Sequence, residues 1–91
     1  MRVQRSSDVV FRELESDGGG VLLRLDSGAY HGLNEMGCLI WSMVGEGASV
    51  DELVSGVEQR VEAAPTELRR DVEAFVSELV ERGLLVPIDQ P

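Results

Sequence analysis

Gly28-Ala29-Tyr30-His31-Gly32-Leu33-Asn34-Glu35-Met36-Gly37-Cys38-Leu39-Ile40-Trp41 is the stretch whose reading decides the fold. Its first half, Ala29 to Leu33, is a short extended run entered through a tight Ser27-Gly28 turn. Its second half is an amphipathic helix. Asn34 has the chemistry of an N-cap, and Glu35 places a negative charge in the first turn, where the helix dipole favours it. Met36, Leu39, Ile40, Met43 and Val44 then recur at i, i+3, i+4, i+7 and i+8, a single apolar stripe. Upstream of this junction the chain reads as strands, and downstream as helices.

Working towards the N-terminus, Ala29 to Leu33 is the third of three strands. Val21-Leu22-Leu23-Arg24-Leu25-Asp26 precedes it, with Val21, Leu23 and Leu25 alternating against Leu22, Arg24 and Asp26, the pattern of a half-buried strand. Ser16-Asp17-Gly18-Gly19-Gly20 is a turn cluster that joins it to a first strand, Val9-Val10-Phe11-Arg12-Glu13-Leu14, whose residues favour extended structure. Met1 to Asp8 is polar and is expected to fray.

Towards the C-terminus, Gly45-Glu46-Gly47 ends the first helix. Ser49-Val50-Asp51-Glu52 is a capping box that opens a second helix, expected to reach about Glu62 and to bury Val50, Leu53, Val54, Val57 and Val61. Gly56 lies inside it, at a cost of roughly 1 kcal/mol against alanine, which suggests close packing there. Ala63-Ala64-Pro65-Thr66 breaks the chain and restarts it, with Pro65 at a helix start. The third helix carries Leu68, Val72, Phe75, Val76, Leu79 and Val80, and closes at Arg82-Gly83. Leu84-Leu85-Val86 follows as a short strand or an ordered tail. A three-stranded sheet is marginal by itself and must pack on the helices. The expected class is α+β: a three-stranded antiparallel sheet followed by three helices, winged-helix-like, in one domain spanning residues 1–91.

Composition narrows the function classes. The chain has 91 residues, 43% of them hydrophobic, enough for one compact core. Its net charge is −9, and lysine is absent. Residues 34–62 carry one arginine against six acids, and residues 63–83 carry three against five. Nucleic-acid affinity comes largely from Lys and Arg neutralising phosphates, so this balance argues against a nucleic-acid partner. No apolar run approaches the roughly 18 residues that span a bilayer, and the start does not resemble a signal peptide, so no membrane partner and a cytoplasmic location are expected. The lone Cys38 agrees with a reducing compartment.

Catalytic chemistry is hard to assemble from these residues. His31 is the single histidine, and one His with one Cys cannot complete a zinc site of three or four ligands. Gly18-Gly19-Gly20 has neither the spacing nor the lysine of a phosphate-binding loop. The paired acids at Asp51-Glu52 read as helix-start charges, and Cys38 as a small hydrophobe. The expectation is a protein that is not an enzyme and uses no cofactor or metal.

One resemblance spans almost the whole chain. Tyr30-His31-Gly32-Leu33-Asn34-Glu35-Met36-Gly37 followed by Ile40-Trp41 is similar to the pattern of the PqqD-like family: an aromatic-bearing strand, Leu-Asn-Glu-x-Gly, then Ile-Trp. Ser49-Val50-Asp51-Glu52-Leu53, Asp71-Val72-Glu73-Ala74-Phe75-Val76-Ser77-Glu78-Leu79 and Gly83-Leu84-Leu85 match its later elements, over about residues 9–86. His31 departs from it, since a second aromatic is common there. Members of this family recognise leader peptides of ribosomally made natural products. The resemblance is closest to the stand-alone leader-recognition elements of lasso-peptide pathways.

That resemblance implies a partner and a site. The partner is the leader of a precursor peptide, which would be passed to a separate leader protease of transglutaminase-like type and to a lasso cyclase. An extended peptide would add to the free edge of the third strand, at Ala29, Tyr30, His31, Gly32 and Leu33. The third helix would supply an apolar wall of Leu68, Val72, Phe75 and Leu79, with Asp71 as a polar partner at its rim. Gly32 would let the peptide backbone approach. Ordinary core packing is the competing role for the four apolar helix residues, and a plain surface aromatic for Tyr30. Trp41 reads as structural, closing the core beside the first-helix stripe. Two other functions stay open: an acidic winged-helix DNA-binding regulator, and a subunit that only scaffolds a modifying enzyme.

Overall fold

The structure is a computed structural model that describes residues 2–14 and 18–88. Nine elements follow in order: β1 (Arg2–Arg5), β2 (Val9–Glu13), β3 (Gly20–Arg24), β4 (Tyr30–Leu33), α1 (Glu35–Val44), β5 (Ala48–Ser49), α2 (Val50–Glu58), α3 (Pro65–Glu81) and β6 (Leu85–Ile88). The α+β class holds, with three helices and antiparallel strands. The sheet differs from expectation. There are two three-stranded sheets, ordered β2-β3-β4 and β5-β1-β6.

The second sheet corrects the reading of the N-terminus. Arg2 to Arg5 does not fray but forms the central strand β1, paired with β6 from Arg2↔Ile88 to Arg5↔Leu85 and with β5 at Val3↔Ala48. Val3 is fully buried, and burial of such a side chain contributes about 1.5–3 kcal/mol. One valine among polar neighbours carries no periodic signal, so only its distant partners reveal it. Arg5 reaches across to α1, its guanidinium 4.9 Å from the Trp41 ring centroid and donating to the Trp41 carbonyl at 2.7 Å. Trp41 itself is buried, in keeping with a structural role.

The first sheet is a local meander, with β2 and β3 paired from Val9↔Arg24 to Glu13↔Gly20. The Leu14 N–H donates to the Gly19 carbonyl and closes the hairpin, while Ser16 and Asp17 of the expected turn lie outside the described residues. Burial in β3 falls on the less apolar face. Leu22 is fully buried between the sheet and the helices, whereas Leu23 and Leu25 are exposed. Arg24, on the same face as Leu22, donates to the Arg82 carbonyl at the end of α3 and pairs with Asp26 at 2.6 Å.

The helix ends follow their local chemistry. The Asn34 side chain accepts from the Gly37 N–H at 2.8 Å, and the Ser49–Glu52 capping box is complete, with bonds of 3.0 and 2.8 Å. Gly45, with φ 51, ends α1. The α2 helix ends at Glu58 rather than near Glu62, because Arg60 and Val61 both turn back to the Val57 carbonyl at 2.9 Å. Val61 still packs on the core through that turn. A side chain at Gly56 would collide with the Met43 thioether, so the helix glycine reflects close α1–α2 contact. Past α3, Leu84 N–H bonds the Leu79 carbonyl and Gly83 N–H the Val80 carbonyl, a Schellman closure with Gly83 at φ 75. The core gathers Val3, Leu22, Ile40, Trp41, Leu53, Val57, Val72, Val76, Leu79 and Leu85 from both sheets and all three helices. Among the described residues no helix is long and apolar enough to cross a membrane.

Candidate functional site

The expected third strand is β4, and it lies at an edge. Among the described residues it pairs only with β3, in the register Gly20↔Leu33, Val21↔Gly32, Leu22↔His31 and Leu23↔Tyr30. The Arg24 N–H donates to the Ala29 carbonyl at 2.8 Å, which fixes the phase of the ladder. Antiparallel residues alternate between those bonded to the neighbour and those turned away. His31 and Leu33 therefore direct their main-chain groups at β3, Ala29 gives β3 its carbonyl while its N–H donates to Ser27 Oγ at 3.3 Å, and Tyr30 and Gly32 direct theirs at the free edge. Side chains alternate too. Tyr30, 77% exposed, and Gly32 stand on the outer face, whereas Leu33 is buried and His31 half-buried on the inner one. A Cβ built at Gly32 meets nothing within 4 Å, so nothing in the chain's own packing requires glycine there.

Each end of β4 opens onto a depression whose opposite wall belongs to α3 or its cap. At the Leu33 end, a depression of about 290 Å³ is lined by Asn34, Met36, Gly37, Ile40, Val57, Leu68, Asp71, Val72 and Phe75. At the Tyr30 end a smaller one, about 40 Å³, lies among Arg24, Ala29, Tyr30, His31, Arg82 and Leu84. The two hollows share no lining residue and lie past opposite ends of β4; the larger, beside Phe75, is the groove. Phe75 is half-buried, its ring against Gly37, where an added Cβ would sit 3.1 Å from the ring. Leu68 and Val72 are buried and form the floor, and the exposed Asp71 carboxylate stands at the rim.

The structure brings together Leu68, Asp71, Val72 and Phe75, and sets them at the end of β4, which carries Tyr30, His31, Gly32 and Leu33; Ala29, expected on the strand, lies just before it. It does not bring Leu79 to either depression, since that side chain is fully buried in the core. Sequence reasoning missed Met36 and Gly37 as groove residues, and Arg24 and Arg82 beside the smaller depression. The signal for Gly37 was present: a glycine inside an otherwise apolar helical stripe. The two arginines gave none, because the contact of β3 with the cap of α3 joins residues 58 positions apart.

The sheet has a second free edge at β2. By the same alternation, Val9, Phe11 and Glu13 turn their main-chain groups outward there, but neither depression includes a β2 residue. Elsewhere, Asp51 holds Arg69 at 2.6 Å and keeps its guanidinium above the usual arginine range, and the Ser49 N–H pulls Glu52 below the usual carboxylate range, helped by Arg2. These are surface ion pairs, one joining α2 to α3 and the other joining α2 to β1. Among the described residues no three His, Cys, Asp or Glu side chains are grouped to hold a metal ion.

The family model for coenzyme PQQ synthesis protein D (PqqD) matches residues 19–85, from β3 through the start of β6. The chain belongs to the PqqD family. Two solved structures share the fold of this PqqD-family chain over nearly its full length. TbiB1 in complex with the TbiA(beta) leader peptide is 29% identical, with a TM-score of 0.83 over 96% of this chain and 99% of that one. A lasso peptide synthetase B1 complexed with the leader peptide is 25% identical, with a TM-score of 0.75 over 93% and 98%. Comparison with curated protein sequences returns no match.

Proposed function

We propose that this chain, as a single domain over residues 1–91, binds the leader region of a ribosomally synthesised precursor peptide in lasso-peptide biosynthesis. It acts in the cytoplasm as a binding protein rather than a catalyst. It hands the leader to a separate transglutaminase-like leader protease and to the lasso cyclase. The observation that carries this reading is the free edge of β4 beside α3, with a depression at each end. The leader peptides bound by the two structural relatives support it. Tyr30 and Gly32 offer main-chain donors and acceptors that an added strand would pair, giving affinity without reading sequence. Side chains of the peptide gain specificity from Phe75, Leu68, Val72 and Asp71 at one end and from the His31–Arg82 recess at the other. Leu33 and Leu79 support this site from the core.

The outer face of the sheet leaves room for the next enzyme. Val10, Leu23 and Tyr30 lie directly across from one another on three strands, all exposed. The DNA-binding reading gains no support from α3, which carries Arg69 and Arg70 against five acids. The test is fluorescence polarisation with a labelled synthetic leader from the precursor encoded beside this chain's gene. Micromolar or tighter binding is expected. A leader that fails to bind the folded protein would sink the reading.

A further inference from the structure

A third depression adjoins the groove and has no role in the site described above. It measures about 400 Å³ and is lined by Glu35, Met36, Leu39, Arg60 and Val61, between the outer side of α1 and the turn that ends α2. Met36 belongs to its wall and also to the wall of the Phe75 depression, so the two hollows meet across that one flexible side chain. Its floor is apolar, from Met36, Leu39 and Val61, all half-buried. On its rim stand Glu35 and Arg60, whose side chains form no hydrogen bond or ion pair among the described residues.

We infer that this hollow is a second side-chain subsite for the same extended peptide, taking an apolar residue that flanks the strand-paired segment on its Leu33 side. The inference rests on the leader-binding reading. The physical need for it comes from β4. Four residues of edge strand fix a register weakly, and an added strand that slips by two residues keeps the same faces. Two hollows at a fixed spacing remove that freedom. A chain that leaves β4 past Leu33 continues alongside the first turn of α1, where Asn34, Met36 and Gly37 line the first hollow. Met36 and Leu39 are three residues apart on α1, roughly 4.5 Å of axial rise, and an extended peptide covers that in one to two residues at about 3.3 Å each. The second hollow therefore begins within one to two peptide residues of the first, and together the two hold a pair of apolar peptide side chains in one register. The Met36 side chain divides the hollows.

The test uses the full-length protein and two fluorescein-labelled synthetic peptides in polarisation assays. One is the whole leader of the neighbouring precursor. The other is trimmed to the strand-pairing segment and the one apolar residue that enters the Phe75 hollow. Val61→Asp should weaken the whole leader about tenfold and leave the trimmed peptide unchanged, with melting followed by circular dichroism to confirm folding. Should Val61→Asp fail to fold, a peptide-side change replaces it. One glycine inserted between the two apolar residues should reduce the whole leader to the affinity of the trimmed one on the unaltered protein. Whole-leader binding that is indifferent both to Val61→Asp and to the inserted glycine overturns the second subsite and leaves the leader reading intact. A whole leader that does not bind the unaltered protein overturns both.

Discussion

The two sheets of this molecule have the same number of strands and opposite ways of treating their edges. In the β5-β1-β6 sheet, the Ser6 N–H donates to the Leu84 carbonyl, so Val86 and Ile88 bond to β1 while Leu85 and Pro87 turn their main-chain groups away. Pro87 has no N–H at the place where an incoming strand would need a donor. The opposite edge, β5, is two residues long and runs directly into α2. Proline and short strands both blunt an edge against pairing. In the β2-β3-β4 sheet the equivalent outward position on β4 is Gly32, with its N–H present and open space over its outer face. One edge is closed by chemistry and the other is left open beside a groove. The contrast teaches that an available edge is a property of phase as well as of position. His31 lies on the open edge strand, yet its N–H is already committed to β3.

The largest test of this contrast removes the closed sheet. Deleting residues 1–6 takes away its central strand and uncovers the Val3 site. Cooperative unfolding should be lost in circular dichroism melts, although β2-β3-β4 keeps its whole sequence. A cooperative melt in the shortened chain would mean that the two sheets are independent.

Phe75→Ala comes next, because the ring serves packing and groove together. A half-buried ring should cost about 2–3 kcal/mol, below the usual 3–5 for a fully buried one, and leader affinity should fall at least tenfold. Chemical denaturation and polarisation measured on the same preparation separate the two effects.

Gly32→Pro sharpens the phase argument. It removes an outward donor, so about one hydrogen bond of affinity should disappear, roughly a fivefold to tenfold weaker leader, with little change in melting temperature. His31→Pro should do the reverse, lowering the melting temperature by breaking the bond to Leu22 before binding is tested. Equal effects of the two prolines on both readouts would refute the alternation.

Pro87→Val restores a donor to the closed edge. Leader affinity should not move, and analytical ultracentrifugation at high concentration should show a modest rise in self-association.

The smallest effect is in the capping box. The Glu52 carboxylate is held below its ordinary pKa by the Ser49 N–H and by Arg2. A folded-state pKa lower than the unfolded one means the contribution is present above the ordinary carboxylate range and is lost as pH falls through the depressed value. Wild type and Glu52→Gln should therefore differ in melting temperature at neutral pH and converge under acid conditions.

Much of this architecture was legible in the residues because its causes are local. Asn34, the Ser49–Glu52 pair, Pro65 and the Arg82-Gly83 closure each act within a turn or two of chain, and a sequence displays such signals directly. The edge strand and four groove residues on α3 were legible for a different reason: the family resemblance ordered them. What the residues could not show was which of two faces is buried. The alternation in β3 separates Val21, Leu23 and Leu25 from Leu22, Arg24 and Asp26 without saying which set faces the core, and it is Leu22 that points inward, on the face where Arg24 closes onto the cap of α3. The same holds for α3, where Phe75 reaches the groove while Leu79, one turn further on, disappears into the core.

The sequence alone therefore determined the strand-to-helix junction from Gly28 to Trp41, the caps, the order of the three helices and the acidic surface, since each depends on neighbours a few residues away. Tertiary structure alone decided that Arg2–Arg5 is a central strand, that β6 completes its sheet, and that Tyr30 and Gly32 rather than His31 hold the open main-chain groups. Those outcomes depend on pairings between residues more than eighty positions apart, Val3 with Pro87 among them, and on the phase of a ladder that no single strand encodes.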